Sequence, residues 1–421
     1  MADDETRRAI EAVFRIERAR LIGALARMTR DIGRAEELAQ DVLVIALAEW
    51  PKSGVPHKPG AWLMAAAKRR AIDTLRHEHM RERKHSEIAQ DWGSQGDSTI
   101  EDIEAAMDDE IGDELLALIF TACHPILSRE ARAALTLRLI GGLSVEQIAR
   151  AFLSNTTTIA QRIVRAKRTI GEAGLAFEVP RGAERAARLA SVLEVIYLIF
   201  NEGYAATSGD DLTRPSLCAE AQRLGRILTS LVPTEPEATG LLALMEIQAS
   251  RPGSRTRPDG SFAPLTEQNR ALWDQLLIRR GLSALAKAEA LGGSNGSFAL
   301  QAAIAACHAR ARVAEDTEWV RMAALYDRLR IVLPSPIVDL NRAVAHSMAF
   351  GPEMGLQLID DIADVTVLKD YAPLPAARGD LLFRAGRLDE AKIEFERAAV
   401  LTRNSAERSF LRSRARACLL G

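Results

Sequence analysis

Cysteine is scarce in this sequence, and the few cysteines stand far apart. The 421 residues include four of them, Cys123, Cys218, Cys307 and Cys418, without a CxxC pair or a Cys/His ligand spacing. Zinc sites need ligands at characteristic spacings, and disulfide scaffolds need dense cysteine. We therefore expect no metal site, no cofactor and no disulfide framework, as is usual in a reducing cytoplasm.

Long apolar runs and a strong net charge are also missing. No stretch approaches the roughly 20 uninterrupted apolar residues of a membrane span, and the N-terminal sequence MADDETRRAI lacks the apolar core of a signal peptide. We expect a cytoplasmic protein that does not bind a membrane. The formal net charge is −2, so a nucleic-acid function would need local basic patches rather than a generally cationic surface.

Alternating β-branched residues are almost absent, whereas alanine and leucine recur at helical spacing along nearly the whole chain. This pattern predicts an all-α fold, and the length predicts two or three domains. From Ser86 to Glu114 acidic residues occur without a lysine or arginine, which predicts a self-repelling linker. We therefore expect helical domains at residues 1–85, 111–178 and 179–421, with the linker at 86–110.

The last of these domains contains weak internal repetition. Its clearest unit has the glycine, alanine, aromatic and alanine spacing of a tetratricopeptide helix pair, carried by Gly386, Ala391, Phe395 and Ala398. A degenerate copy lies upstream at residues 340–359. Because one helix pair cannot cover its own apolar face, we expect several stacked pairs.

A helix-turn-helix pattern lies between Leu143 and Arg168. Ser144 is suited to cap a first helix, and Gln147 three residues later would complete a capping box. A second helix follows a short turn and begins near Thr156. In this second helix, an apolar stripe is expected to be buried: Ile159, Ile163 and Ala166.

The remaining faces of the second helix are polar and basic. They carry Gln161, Arg162, Arg165 and Arg168, and no acidic residue compensates these charges. Such a face suits the major groove of DNA, where arginines neutralise phosphates or read guanine. The alternative is an ordinary helical hairpin with a solvated basic face.

A second basic helix is predicted from Trp62 to Arg76. Its apolar residues recur every four positions and can pack together: Leu63, Ala67, Ala71 and Leu75. Its basic patch consists of Lys68, Arg69 and Arg76, and continues through Arg81, Arg83 and Lys84. An exposed aromatic residue beside such a patch would suit single-stranded DNA, although Trp62 by itself is more often a core residue.

A third segment, Arg34–Leu43, has the pattern of an amphipathic helix with an acidic outer face, which by itself indicates no function. In their order along the chain, the three segments resemble the sigma-70 superfamily, in particular its extracytoplasmic-function group. The resemblance implies two partners, core RNA polymerase, through its clamp helices and flap, and promoter DNA. The third segment resembles the region 2 helix that grips the clamp helices, which implies polymerase contacts by Glu37, Leu38, Gln40 and Asp41.

The same resemblance implies two sets of promoter contacts. For the −10 element, the implied residues are Trp62, Lys68, Arg69, Asp73 and Arg76. Arg69 stands where asparagine is common, which puts the base preference in question. For the −35 element, the implied residues are Thr156, Thr157, Thr158, Gln161, Arg162, Arg165 and Lys167. Ala160 stands where a lysine is frequent.

The C-terminal half resembles that of the long sigma subgroup with a fused tetratricopeptide-like extension. The resemblance rests on residues 201–206, 217–221, 301–306 and 334–343. It implies that the fused domain regulates transcription in place of a separate anti-sigma factor. A glycine flanked by polar and aromatic residues near the junction suits a tight interdomain contact, here formed by Asn201, Glu202, Gly203 and Tyr204.

Two other functions remain open at this point. A stand-alone helix-turn-helix transcriptional activator with a repeat sensor domain would explain the last two domains but leaves residues 34–84 without a role. An enzyme in the C-terminal half would use an acid/base cluster of Glu202, Tyr204, Asp210 and Asp211. No catalytic spacing of His, Cys or carboxylate residues supports it, and carboxylates beside glycine more often form caps and turns. We expect a protein that is not an enzyme.

Overall fold

The protein is all-α in the computed structural model, which confirms the predicted fold class. Among the residues that the structure describes there is no β-strand. The described residues are 2–86, 111–152, 154–204, 215–255, 257, 261–363, 365–402 and 404–419. The chain divides into two compact units, unit 1 (Met1–Val195) and unit 2 (Ile196–Gly421).

Unit 1 is built from helices α1 to α7 and the first part of α8. Their bounds are α1 Ala2–Thr29, α2 Ile32–Ser53, α3 Pro59–Ser86, α4 Ile111–Ala122, α5 Arg129–Leu139, α6 Val145–Ala151, α7 Thr156–Glu172 and α8 Gly182–Tyr204. Helix α1 packs against α2, α3 and α4, while α7 packs against α5 and α6. Leu21, Ile22 and Leu25 of α1 are fully buried and form part of the core of this unit.

The connection between α2 and α3 is held by a tryptophan pair. Helix α2 ends at Gly54, whose φ of 84° lies in the left-handed region that glycine tolerates. The Gly54 N–H donates to the Trp50 carbonyl at 2.9 Å. Trp50 is buried and meets Trp62 of α3 edge-on, with ring centroids 5.3 Å apart. The aromatic contact therefore joins the end of one helix to the beginning of the next.

Unit 2 is a succession of helices, most of which pack on their neighbours in sequence. Their bounds are α9 Pro215–Leu231, α10 Pro236–Ala249, α11 Gln275–Ala290, α12 Ser297–Arg310, α13 Trp319–Val332, α14 Pro336–Phe350, α15 Pro352–Asp360, α16 Pro373–Arg384, α17 Leu388–Leu401 and α18 Ser405–Ala417. One apolar cluster includes Leu244, Leu300 and Met322. Another includes Ile359 and Leu381.

The predicted helix pair near the C-terminus is confirmed as α16 and α17. Gly386 turns the chain between them with a φ of 76°, and Ala391, Phe395 and Ala398 are buried. A methyl group on Gly379 would come within 3.0 Å of the Phe395 ring. The absence of a side chain at Gly379 thus lets the two helices approach closely.

The degenerate upstream copy also forms a helix pair, α14 and α15. At Gly355, a methyl group would meet Ser347 at 2.5 Å and Leu381 at 2.7 Å. The glycine therefore permits close packing within the pair and against α16.

None of the described helices is both long and apolar enough to cross a membrane. The four cysteines are buried and form no disulfide. Burial raises the pKa of the Cys123 thiol to about 11, so this sulfur stays protonated and unreactive at neutral pH.

Candidate functional site

The helix-turn-helix pattern is confirmed by its caps. At the start of α6, the Ser144 hydroxyl accepts from the Gln147 N–H at 3.2 Å, and the Gln147 side chain accepts from the Ser144 N–H at 2.8 Å. This reciprocal pair is the predicted capping box. Helix α7 is capped by Asn155, whose side chain accepts from the Thr158 N–H at 2.6 Å.

Helix α7 buries the predicted apolar stripe and exposes a polar face. Ile159, Ile163 and Ala166 are buried, and Ile170 extends the stripe. Arg162 and Thr158 are partly exposed. Four further candidate residues are exposed: Thr156, Thr157, Gln161 and Arg165. These side chains can reach a nucleic acid, and the positive end of the helix dipole at Thr156 favours phosphate.

The prediction that this face lacks acids was wrong for Arg168. Its Nε lies 2.6 Å from Glu172 Oε1, one helical turn further on. Both side chains are largely exposed, so water and salt screen the pair. The basic surface for a partner therefore rests more on Arg162 and Arg165 than on Arg168.

Helix α3 forms the second basic surface. Leu63, Ala67 and Ala71 are buried as predicted, while Leu75 is half-buried. Exposed residues on this helix include Arg69, Asp73 and Arg76. The side chains of Arg81, Arg83 and Lys84 lie outside the described part of the structure.

Trp62 and Lys68 of α3 are only partly exposed. Trp62 packs on the buried Trp50, so it combines a core contact with some accessible ring surface. Lys68 lies near Glu114 of α4, where burial raises the pKa of that carboxyl against the opposing charges of Lys68 and Arg27. The Lys68 ammonium is thus drawn towards an acid of the same unit.

The amphipathic helix α2 places its candidate residues at different depths. Glu37 and Gln40 are exposed and Asp41 is half-exposed, whereas Leu38 is buried at 4 % exposure. Asp41 also pairs with Arg70 of α3 at 3.3 Å. The accessible surface is therefore acidic and polar, with Leu38 beneath it.

Sequence reasoning missed a buried charge cluster around Glu36 on α2. One carboxylate oxygen accepts from Arg18 Nη2 at 2.6 Å and lies 2.8 Å from Arg138 Nη2, and the other accepts from Lys167 Nζ at 2.6 Å. Burial by itself would raise the pKa of Glu36, but the hydrogen bond from Lys167 and the three positive charges together hold it below its ordinary value. Glu36 is therefore charged at neutral pH. Nothing in the local pattern of α2 could have indicated partners on α5 and α7.

In unit 2, the segment that the sequence predicts to make an interdomain contact, Asn201–Tyr204, forms the C-terminal end of α8. Gly203 is buried, and a methyl group there would come within 2.7 Å of the Cys218 backbone nitrogen. Asn201 and Glu202 are partly buried. Tyr204 stacks on Phe200, and the Arg255 guanidinium lies 4.9 Å from the Tyr204 ring centroid.

A second missed feature of unit 2 is a group of arginines on aromatic rings. Arg251 lies over Tyr204 and Trp273, and Arg270 lies 5.3 Å from the Trp273 ring centroid. The Arg270 guanidinium also donates to the His308 carbonyl at 3.0 Å. Asp210 and Asp211, which an enzymatic site would have used, lie outside the described residues.

Comparison with known proteins matches three family models to this chain. Sigma-70 region 2 matches residues 13–81, and Sigma-70, region 4 matches residues 117–170. A family of unknown function (DUF6596) matches residues 188–289. The two sigma models thus fall on helices α1–α3 and on α4–α7.

Two relatives of the chain are named as sigma factors, and a third, similar over nearly the whole chain, is uncharacterised. The probable ECF RNA polymerase sigma factor SigI of Mycobacterium tuberculosis is 29 % identical over 42 % of this chain and 59 % of its own length. The ECF RNA polymerase sigma factor SigK of Mycobacterium sp. strain KMS is 29 % identical over 37 % of this chain and 77 % of its own. An uncharacterised protein of Rhizobium meliloti strain 1021 is 39 % identical over 94 % of this chain and 92 % of its own.

The chain belongs to the extracytoplasmic-function sigma-70 family. In this family member, region 2 carries the acidic surface of α2 and the basic surface of α3, and region 4 carries the helix-turn-helix. The Glu36 cluster joins the two regions, since Arg18 and Glu36 belong to region 2 while Arg138 and Lys167 belong to region 4. The family of unknown function begins within α8 and extends into α11.

Proposed function

We propose that the protein is a sigma factor that directs core RNA polymerase to specific promoters and starts transcription there. The observation that carries the proposal is that one chain holds a region 2 match and a region 4 match in order, each with a basic helix face above a buried apolar stripe. Basic side chains on such faces neutralise phosphates and read base edges. The protein supplies specificity and binding, and catalysis belongs to the polymerase.

The acidic surface of α2 is the proposed polymerase contact. Glu37, Gln40 and Asp41 would face the clamp helices, and Leu38 would support them from the core. Charged groups at such a rim set the orientation and the rate of docking. Region 4 would contact the flap of the polymerase.

The two basic helices are the proposed promoter contacts. On α3, Lys68, Arg69 and Arg76 would neutralise the opened strand at the −10 element, beside Asp73 and the accessible part of the Trp62 ring. On α7, the arginines would enter the major groove of the −35 element, and the helix N-terminus would bind phosphate. The proposed −35 contacts on α7 are Thr156, Thr157, Thr158, Gln161, Arg162, Arg165 and Lys167.

The remaining chain is proposed to link and regulate these regions. Residues 86–110 would form the acidic linker between domains 1–85 and 111–178. Residues 179–421 would form a tetratricopeptide-like array that acts in place of an anti-sigma factor, contacting the sigma domains through Asn201–Tyr204. Stacked helix pairs offer extended surfaces for this kind of docking.

Co-purification with core RNA polymerase tests the proposal against its rival. A sigma factor forms a stable complex with core enzyme in the absence of promoter DNA. A stand-alone activator binds its operator without core enzyme and contacts the polymerase only weakly. Gel filtration of the full-length protein mixed with core enzyme should give a joint peak, and separate peaks would contradict the proposal.

A further inference from the structure

Arg251 is a buried arginine of unit 2 whose charge has no anionic partner among the described residues. It lies shortly after the end of α10 and is 6 % exposed. We propose that its guanidinium binds the oxyanion group of a small molecule, a carboxylate or a phosphate, beside the rings of Tyr204 and Trp273. The inference goes beyond the proposed function, because it gives unit 2 a ligand of its own.

Two other arginines are buried in the described part of the chain, and both have acceptors. Arg132 donates to the Ser191 hydroxyl and the Glu194 carboxylate. Arg270 donates to two backbone carbonyls and one hydroxyl at 2.9 to 3.1 Å. In all three arginines the Nε is buried without an acceptor, but in Arg251 the terminal nitrogens also donate to no described residue. A buried charged donor without an acceptor is costly, so Arg251 is suited to an acceptor that a ligand supplies.

The rings beside Arg251 attract its charge without accepting its N–H groups in hydrogen bonds. Its guanidinium carbon lies 6.0 Å from the Tyr204 ring centroid and 5.7 Å from that of Trp273. Contacts between a cation and aromatic faces offset part of the cost of burial. The N–H donors in the guanidinium plane remain for a ligand, and two parallel N–H groups match two oxygens of a carboxylate or phosphate.

The titratable neighbours of Arg251 carry no negative charge at neutral pH. Those that the structure describes are Arg270, His308 and Tyr326, each of which feels the charge of Arg251. Burial lowers the pKa of His308 to about 3 and raises the pKa of Tyr326 to about 12, so both side chains are neutral. Arg270 therefore reinforces the positive charge of Arg251, and none of the three opposes it.

A second cation lies at the Tyr204 ring. Arg255 has its guanidinium carbon 4.9 Å from the ring centroid and donates to the Tyr204 carbonyl. Like Arg251, it forms no ion pair with a described acid. The acids beside this cluster, Glu315 and Asp316, are exposed, so water and salt screen them. An oxyanion beside Tyr204 would therefore meet two cations that no described acid neutralises.

The proposed site joins three segments of unit 2. Tyr204 ends α8, Arg251 and Arg255 follow α10, and Trp273 shortly precedes α11. A ligand that binds the folded chain stabilises it in proportion to the logarithm of the ligand concentration. Unit 2 would thus respond to the concentration of a small molecule, which is the property that a sensor domain needs.

The test begins with an anion titration of the full-length protein in chloride buffer at constant pH and ionic strength. Sodium phosphate and sodium acetate are the probes, and tryptophan fluorescence gives the signal, since Trp273 lies beside the site. At least one probe should give a saturable change with half-saturation at about 1 mM, an affinity within reach of ligands of about four or five heavy atoms. Tighter binding of phosphate would assign a phosphate ester as the ligand, and tighter binding of acetate a carboxylate.

Substitutions show whether Arg251 is responsible for the response. Arg251→Met removes the charge but keeps most of the length of the side chain, and it should abolish the response to both probes. Arg279→Met removes the same charge from an exposed position on α11 and should respond as the parent does. No saturable response in the parent, or the same response in Arg251→Met, would overturn the site.

Thermal melting separates an anion site from an arginine held only by its rings. An anion site predicts that Arg251→Met melts at or above the parent Tm in chloride, because an unpaired buried charge is gone. It also predicts that the bound anion raises the Tm of the parent alone. A structural role of the arginine predicts instead an equal loss of Tm in every buffer, and that result would contradict the site.

A second variant covers the case in which circular dichroism shows that Arg251→Met has lost its helices. Arg251→Lys keeps the charge but loses the planar pair of donors. Its half-saturation should rise by about tenfold, the equivalent of one hydrogen bond to a charged group. Parent-like affinity in Arg251→Lys would remove the guanidinium from the site.

The outcome is separable from the fate of the proposed function. Anion binding and melting are measured on the free protein, so they do not depend on a complex with core enzyme. A protein that binds the anion through Arg251 but never joins core polymerase would retain the site and lose the sigma assignment. A protein that joins core polymerase but binds neither probe would retain the sigma assignment and lose the site.

Discussion

Ionic side chains of unit 1 differ in their exposure to solvent, and this exposure determines whether a substitution affects mainly stability or mainly binding. Glu36 is buried among three cations, so removing its charge should destabilise unit 1 by leaving those cations uncompensated. The pair Arg168–Glu172 is largely exposed and the pair Asp41–Arg70 is about half exposed, and ion pairs that water reaches in this way contribute about 0–1 kcal/mol. Substitutions at the exposed pairs should therefore change binding while the fold is preserved.

Arg162 and Arg168 offer a matched comparison on one helix. Arg162 lies on the proposed base-reading face, so Arg162→Ala should cost about 1–3 kcal/mol of promoter affinity and relax specificity at one base pair of the −35 element. Arg168 is already paired with Glu172, so Arg168→Ala should keep the base preference. Transcription from a set of −35 variants measures both. If Arg162→Ala ranks the variants as the parent does, the proposed orientation of α7 is wrong.

His308 should make the stability of unit 2 depend on pH. Burial lowers the pKa of His308 to about 3, and the charges of Arg251 and Arg270 act in the same direction. Its Nδ1 has no hydrogen-bond partner in the part of the chain that the structure describes, and its ring meets Trp319 edge-on. The unfolded chain takes up a proton near the ordinary pKa of about 6.5, and the folded chain does not.

The stability that depends on a neutral His308 is present above about pH 6.5. It is lost as the pH falls from there towards about 3, by up to about 1.4 kcal/mol for each pH unit. Thermal melting of the parent and of His308→Gln at about pH 7 and about pH 5 measures it. The parent should lose more of its Tm on acidification than the variant does. Parallel losses in the two proteins would contradict the assignment.

At the scale of the helix, the sequence predicted periodicity and caps well. The buried stripe Ile159, Ile163 and Ala166 and the Ser144–Gln147 capping box are local, because each is set by residues within two turns. The Glu36 cluster was not predictable in this way, since its partner Lys167 is more than a hundred positions away. Leu38, expected at a polymerase contact, fits the apolar stripe of α2 equally well, and the structure buries it.

The acidic surface of α2 gives an element-scale prediction. The double variant Glu37→Lys/Asp41→Lys should weaken binding to core RNA polymerase by at least about tenfold. The new lysines would oppose like charges on the polymerase surface that the acidic residues are proposed to complement, and such opposition costs several kcal/mol. Glu49→Lys reverses one charge at an exposed position on the same helix and should bind nearly as the parent does. Fluorescence anisotropy with labelled protein measures both. Parent-like affinity in a folded double variant would remove this surface from the interface.

At the scale of the whole molecule, unit 2 is proposed to regulate unit 1. The compact boundary lies at Val195, well into α8. The Ser191 hydroxyl donates to the Cys123 carbonyl at 2.6 Å, and Glu194 pairs with Arg129 at 2.7 Å. A truncation that preserves unit 1 should therefore follow Val195 rather than residue 178, the domain boundary that the sequence predicts.

A chain ending at Val195 should differ from the full-length protein in promoter-specific transcription at equal core binding. Higher activity would indicate that unit 2 masks the sigma regions, and lower activity would indicate a contact that transcription requires. Single-round transcription at matched holoenzyme concentration gives the comparison. Equal activity of the two proteins, in vitro and in cells, would rule out a regulatory role for unit 2.

The central claim is that this protein confers promoter specificity on core RNA polymerase, and genome-wide run-off transcription tests it most directly. Purified core enzyme and sheared genomic DNA are combined with and without the full-length protein, and the 5′ ends of the transcripts are mapped. The account predicts discrete starts that depend on the protein and share two sequence elements at a fixed spacing, the upstream one altered in Arg162→Ala. Identical 5′ ends with and without the protein would contradict it.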